Sequence, residues 1–214
     1  MWPESGLSLA IDLWDGAAKV PAKLAKKMRE RALRTDEVYL KLAHDFSPQG
    51  IGFVAGAKIA TLAPLTEGWT HTDPWATRYG SATDAAVAMC SYLRYQQTKN
   101  KGYKKLLVDC ATRYLTSLPD REEGLHPGTF GLVIKLMLVA HDLTGDRKFE
   151  ERADFFARKA VKLYLGDAPV PPATVKYRHY EGISGGDTLM MSLLELWARK
   201  NMPGLKTPLI VCDR

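Results

Sequence analysis

The sequence predicts an all-α fold built from repeated helical hairpins in two layers. Three observations carry that prediction. Apolar residues recur at three- and four-residue steps through several segments of helical length, segments apolar on every face alternate with amphipathic ones, and two such pairs repeat their turn residues at one fixed offset. The clearest pair runs from Pro127 to Leu165. Val133, Ile134, Leu136, Met137, Leu138, Val139 and Ala140 are interrupted only by Lys135, which predicts a helix buried all round. Beyond the turn Leu143-Thr144-Gly145-Asp146, Phe149, Ala153, Phe156, Ala157, Ala160, Val161 and Tyr164 form a single stripe. Glu150, Glu151, Asp154, Arg158, Lys159 and Lys162 lie opposite it. One helix is inner and the next is outer.

A chain of 214 residues, 46% of them hydrophobic, is long enough for one domain over 1–214 with a substantial core. Thirty Lys and Arg against 24 Asp and Glu leave +6, an excess too small and too dispersed to indicate nucleic acid. Cys90, Cys110 and Cys212 are odd in number and lack CxxC or Cys/His spacing, so neither a disulfide framework nor a zinc site is expected. Cys90 and Cys110 fall on apolar faces and read as core thiols. No apolar run reaches membrane-spanning length, and Met1-Trp2-Pro3-Glu4 lacks the basic and apolar regions of a secretion signal. As written, the sequence predicts a soluble cytoplasmic protein with no membrane partner; as a piece of a longer chain it would be extracellular or periplasmic.

The first predicted helix spans Leu7 to Lys19 and stops at Pro21, which suits the first turn of the next. That second segment, Ala22 to Phe46, carries a wet face of Lys23, Lys26, Lys27, Arg29, Arg31 and Arg34. Thr35-Asp36 ahead of Glu37 marks an expected break. Ile51 to Leu62 fits either a buried helix or extended chain, since Gly50, Gly52 and Gly56 weaken the helical reading. After a polar and aromatic loop from Thr66 to Gly80, Asp84 to Gln97 and Tyr103 to Leu115 make a second hairpin, with Thr83 as its cap. Its landmarks match those of the later pair at an offset of 46, in Thr83 and Thr129, Thr98 and Thr144, Tyr103 and Phe149. A Pro-rich then aromatic loop, Gly166 to Gly186, leads to an unpaired third inner helix, Asp187 to Lys200, in which Trp197 reads as core. The clear repeats are therefore 81–118, 127–165 and 186–200. Thr129 and Asp187 read as helix caps and His141 as structural.

The turn Leu143-Thr144-Gly145-Asp146-Arg147-Lys148-Phe149 and, more loosely, Tyr95 to Tyr103, each followed by an Ala-rich amphipathic helix, resemble the α/α toroids of the six- and seven-hairpin glycosidase-like superfamily. The likeness covers roughly Ser81 to Lys200. It implies a partial or complete α/α toroid, and a carbohydrate-active protein whose partner is a polysaccharide or oligosaccharide. The chain holds about half the helices of a closed toroid, so the resemblance further implies a fragment, a truncated gene product, or an open arc that closes through a partner; bare inner-helix edges on an open arc would favour self-association.

In such toroids the loops leading into inner helices line the cleft. Here the first loop supplies Trp69, His71, Asp73, Trp75, Arg78 and Tyr79, the second Glu122, Glu123 and His126, and the third Lys176 to Glu181 with Asp187. Trp69, Asp73, Trp75, Arg78, His126 and Tyr177 are the candidate substrate-binding residues, because a sugar lays its C–H face on an aromatic ring while its hydroxyls meet polar neighbours. Arg178, His179, Tyr180 and Glu181 are the candidate catalytic residues. In a polysaccharide lyase acting on a uronate polymer, His179 or Tyr180 would take the proton beside the carboxylate, with Arg178 and Lys176 meeting the developing charge. In a glycoside hydrolase, Glu181 would pair with Asp73 or Glu123. The excess of cations in this loop favours the lyase. A noncatalytic helical-repeat scaffold is the alternative of a different class. His126, His179 and Glu181 have no spacing that prearranges a metal site, and Gly182 to Gly186 lacks GxGxxG or a Walker lysine, so no metal and no cofactor is expected.

Overall fold

The structure, a computed structural model, describes residues 1–47, 49–75, 77, 82–166, 170–202 and 204–205. Among these the regular structure is all helical, with α1 (Pro3–Gly16), α2 (Ala22–Tyr39), α3 (Asp84–Thr98), α4 (Lys101–Tyr114), α5 (Pro127–Thr144), α6 (Arg147–Tyr164) and α7 (Gly186–Asn201), two short 3-10 turns and no strand. No described helix is long and apolar enough to cross a membrane. The chain divides into two compact units, one of Met1–Thr72 with Val87–Cys110 and the other of Asp73–Ala86 with Ala111–Asp213.

In the first unit, Pro3 opens α1 at a position where its missing N–H costs nothing. Leu7, Ala10 and Ile11 are buried on α1, while α2 contributes a narrow buried stripe of Ala25, Ala32, Asp36 and Tyr39. The expected break at Thr35-Asp36 does not occur. Thr35 Oγ1 turns back to the Arg31 carbonyl at 3.2 Å, and the Asp36 carboxylate is committed elsewhere. It receives Arg94 Nε at 2.8 Å, Arg94 Nη2 at 2.7 Å and the Tyr103 hydroxyl at 2.7 Å. Arg94 is fully buried, and its charge is tolerated there because this bidentate pair and Gln97 satisfy it.

The ambiguous segment 51–62 is not a helix: it is irregular bridged chain as far as residue 58 and then turns over 59–61, with Leu62 at φ 59°. Single antiparallel bridges join Asp45 to Gly52, Val54 to His71 and Ala57 to Pro64, and Phe53, Val54 and Ala57 enter the core. His44 is held neutral by its surroundings. Val54 N–H donates to Nδ1 at 3.1 Å, Nε2 donates to the Tyr39 carbonyl at 3.3 Å, and burial pulls the imidazole down to about 4.

In the second unit, α5 is buried on all sides, from Pro127 to Ala140 with only Leu132 partly open, whereas α6 buries a single stripe of Phe149, Ala153, Phe156, Ala157, Ala160 and Tyr164. Lys135, which breaks the apolar run, bonds Glu195 of α7. Arg199 extends the pair, holding Glu195 at 2.7 Å and clamping Asp142 at 2.7 and 2.9 Å. The two helices approach so closely at their starts that a Cβ on Gly131 would lie 2.7 Å from the Thr188 carbonyl and Leu189 nitrogen.

Three helix-end expectations are resolved here. Thr83 does cap α3, its Oγ1 accepting from Ala86 N at 3.2 Å. Thr129 does not cap α5, because Pro127 starts the helix two residues earlier and leaves Thr129 buried in the first turn. Asp187 lies inside α7, whose N-cap is Gly185 at φ 72°. Trp197 is also misplaced by the sequence: it is 54% exposed, since α7 buries Gly186, Leu189, Ser192, Glu195, Leu196 and Ala198 instead.

The turns of the two hairpins share their chemistry atom by atom. Thr98 and Thr144 each donate to the carbonyl four residues back, at 2.8 and 2.7 Å, and accept the amide two residues on, both at 3.2 Å. Asn100 and Asp146 then accept from Gly102 N and Lys148 N. The intervening left-handed residue is Lys99 at φ 57° in one turn and Gly145 at φ 72° in the other.

Candidate functional site

Loops before the inner helices meet one another within the second unit. The third loop is anchored by buried Pro171 to Thr174 and then reverses, with Ala173 N donating to the His179 carbonyl at 2.7 Å and Thr174 N to the Tyr177 carbonyl at 3.2 Å. Thr174 Oγ1 accepts from Tyr177 N at 2.9 Å, closing the turn. This clasp pushes Lys176 to Tyr180 into solvent, where Tyr177 is 55% and Tyr180 57% exposed. Lys176 N donates to the Glu123 carbonyl at 3.1 Å, so the second and third loops are joined along their backbones.

At the tip, His179 Nε2 donates to Glu181 Oε1 at 2.9 Å. That bond orients the ring and leaves Nδ1 as the accepting position. Glu181 is fixed from behind, as its carbonyl accepts from Ser184 Oγ at 2.6 Å and opens the 3-10 turn Gly182–Ser184. Arg178 Nη1 donates to the Leu163 carbonyl at the end of α6, and the Lys176 ammonium sits 5.5 Å from the Tyr177 ring centre. His179, Tyr180, Glu181, Arg178 and Tyr177 are thus brought onto one short turn.

His126 lies beneath that turn. It is 9% exposed, and its Nδ1 donates to the Ala173 carbonyl at 3.0 Å, so it supports the loop from below. Trp75 is also interior. Its ring is 8% exposed among Tyr114, Phe130 and Phe156, with Nε1 donating to Ser117 Oγ at 2.8 Å, so its faces are occupied by protein instead of being open to a sugar. Asp73 is exposed and its Oδ1 accepts from Trp75 N at 2.9 Å, shaping the loop. Trp69 belongs to the first unit, where it is 59% exposed. Arg78 and Tyr79 lie outside the described residues.

A cleft of about 380 Å³ opens beside Trp75, lined by Asp73, Pro74, Thr77, Ser117, Leu118, Asp120 and Arg121. Its walls are braced by Tyr114, whose hydroxyl donates to the Pro74 carbonyl at 2.7 Å, and by Arg152 of α6, which donates to the Tyr114 and Ser117 carbonyls at 2.9 and 3.0 Å. Ser117, Asp120 and Arg121 were absent from the sequence candidates. The polar Pro119-Asp120-Arg121 run directly after α4 was the available signal. Asp73 contributes to this cleft, while the His179–Glu181 pair stands on the third loop and lines none of it. Among the described residues no group of three or more His, Cys, Asp or Glu is placed to hold a metal ion.

No protein-family model, curated protein or solved structure matches the chain.

Proposed function

We propose that the protein is a polysaccharide lyase acting on an acidic, uronate-containing polymer, its helices forming an arc of an α/α toroid. The observation that carries this reading is the His179–Glu181 pair, 2.9 Å apart and presented with Tyr180, Arg178 and Lys176 on one clasped turn. His179 Nδ1 takes the proton from C5 of the uronate, next to its carboxylate. Arg178 and Lys176 stabilise the negative charge that spreads onto that carboxylate. The electron pair forms the C4–C5 double bond as the C4–O bond breaks, and Tyr180 gives a proton to the departing glycosidic oxygen. The products are an unsaturated uronate end and a free hydroxyl, with no change of oxidation state overall.

Hydrolysis fits less well. Glu181 Oε1 accepts from His179 and Asp73 Oδ1 from the Trp75 amide, and Glu123 meets the third loop through its backbone carbonyl, so each candidate carboxylate residue has a structural contact of its own. A noncatalytic glycan-binding scaffold remains the competing class, favoured by the openness of the turn, with the His179 side chain 59% exposed. Incubation with a panel of uronate polymers, followed by ultraviolet absorbance of the unsaturated product, separates them. The lyase gives rising absorbance with at least one polymer; binding with no absorbance change across the panel leaves the scaffold.

A further inference from the structure

The outward face of α2 carries a row of cations that its own chain does not neutralise. Lys23, Lys27, Arg31, Arg34 and Lys41 follow one another at helical steps of four, four, three and seven, with Val38 in the intervening place, and all six are exposed. The row points away from the buried stripe of Ala25, Ala32, Asp36 and Tyr39. No acid falls on it. Asp36 is buried under Arg94, Glu30 turns to Lys26 at 3.9 Å on the next row, and Glu37 lies on that same flank. Of the other cations on α2, Arg29 sits over the Trp14 ring at 5.9 Å. Among the described residues, none of the five side chains in the row has an ion-pair partner.

This row works against the helix that carries it. Like charges three or four residues apart repel one another. The helix also has no acidic residue in its first turn and no basic one in its last, so Lys23 meets the positive end of the helix dipole with nothing to offset it. Cations placed at a cost to their own helix fit a partner that supplies the missing negative charge. We infer that this face binds an acidic polysaccharide, a chain of carboxylates laid along α2 from Lys23 toward Lys41. For its choice of polymer the inference rests on the uronate reading above, and it adds a contact on the first compact unit. Lys23 and Arg34 stand about 17 Å apart along the axis, longer than one sugar ring, so the row suits a polymer and not a monosaccharide. Arg31 and Arg34 each offer a carboxylate two parallel N–H groups, while the lysines act as point charges along the chain. A bilayer suits the face less. A helix lying on a membrane needs a broad apolar face, whereas α2 turns Ala25, Ala32 and Tyr39 into its own chain and exposes Leu24 and Leu33 on opposite sides.

Binding of the full chain to polygalacturonate and to alginate, measured at low and at high salt, tests the inference. The wild type is expected to bind at least one of them, and more weakly at high salt. Combining Lys23→Gln, Lys27→Gln, Arg31→Gln and Arg34→Gln should weaken that binding by about tenfold or more, since four exposed ion contacts each contribute a few-fold. The circular dichroism spectrum should stay that of the wild type, because all four side chains are exposed. A second variant, combining Lys58→Gln, Lys101→Gln, Arg147→Gln and Lys162→Gln at exposed positions elsewhere, has the same net charge and should bind like the wild type. A wild type that binds neither polymer, equal weakening in the two variants, or tighter binding of duplex DNA or of phosphatidylserine vesicles than of either polymer would overturn the inference. Binding is read apart from product formation, so a polymer held through α2 without unsaturated product counts against the lyase reading and supports this one.

Discussion

Lys99 holds the left-handed backbone position that glycine holds in the later hairpin turn, and a Cβ there is strained. Lys99→Gly is therefore expected to stabilise the protein by ~0.5–1 kcal/mol, read as a rise of about 1–4 °C in the thermal midpoint. His44 gives a pH-dependent term of definite sign. Its folded value of about 4 lies below the ordinary 6.5, so between these values the unfolded chain binds a proton that the folded chain refuses. Stability contributed by neutral His44 is complete above pH 6.5 and is lost as pH falls toward 4, by about 3 kcal/mol in total. Denaturant titrations should show this slope in the wild type and a shallower one in His44→Asn. Single residues were the hardest scale to read in sequence. Asp36 has the residue type of a helix cap, and only its encounter with Arg94, 58 positions away, makes it a buried anchor. Trp75 likewise has the composition of a sugar platform, but Phe130 and Phe156 enclose its ring.

Elements were far more legible, because helical periodicity is a local signal. The helices α3 to α7 fall within a few residues of their expected positions, and Lys135 was visible as the single charge in an apolar run. Its partner was not, since Glu195 is on another helix 60 residues on. Glu195→Leu alone strands the Lys135 charge and should cost about 3–5 kcal/mol in unfolding free energy. Adding Lys135→Met should recover most of that loss, leaving Arg199 its Asp142 clamp. Gly131→Ala should also be severe, because the obstructing atoms are α7 backbone, not a movable side chain. The segment 51–62 stayed ambiguous for the converse reason: its bridges run to Asp45, Pro64 and His71, and no local pattern announces them.

At the scale of the molecule, the sequence predicts an all-α chain, and the regular structure among the described residues is all helical. Function depends on how loops before separate helices come together, which composition alone encodes weakly. The loop rich in His, Tyr and Arg could be picked out, while the clasp through Ala173, the supporting place of His126 and the cleft around Ser117 and Arg121 are tertiary facts. The proposed chemistry rests on His179 as the base and is tested most directly by measuring turnover and binding together, on the wild type and His179→Ala, with the uronate polymer that gives product. With His179 as the base, affinity is unchanged in His179→Ala and the rate of unsaturated product formation falls by about 10²–10⁴. Equal rates in the two proteins, or no product from the wild type with any uronate polymer, would contradict it.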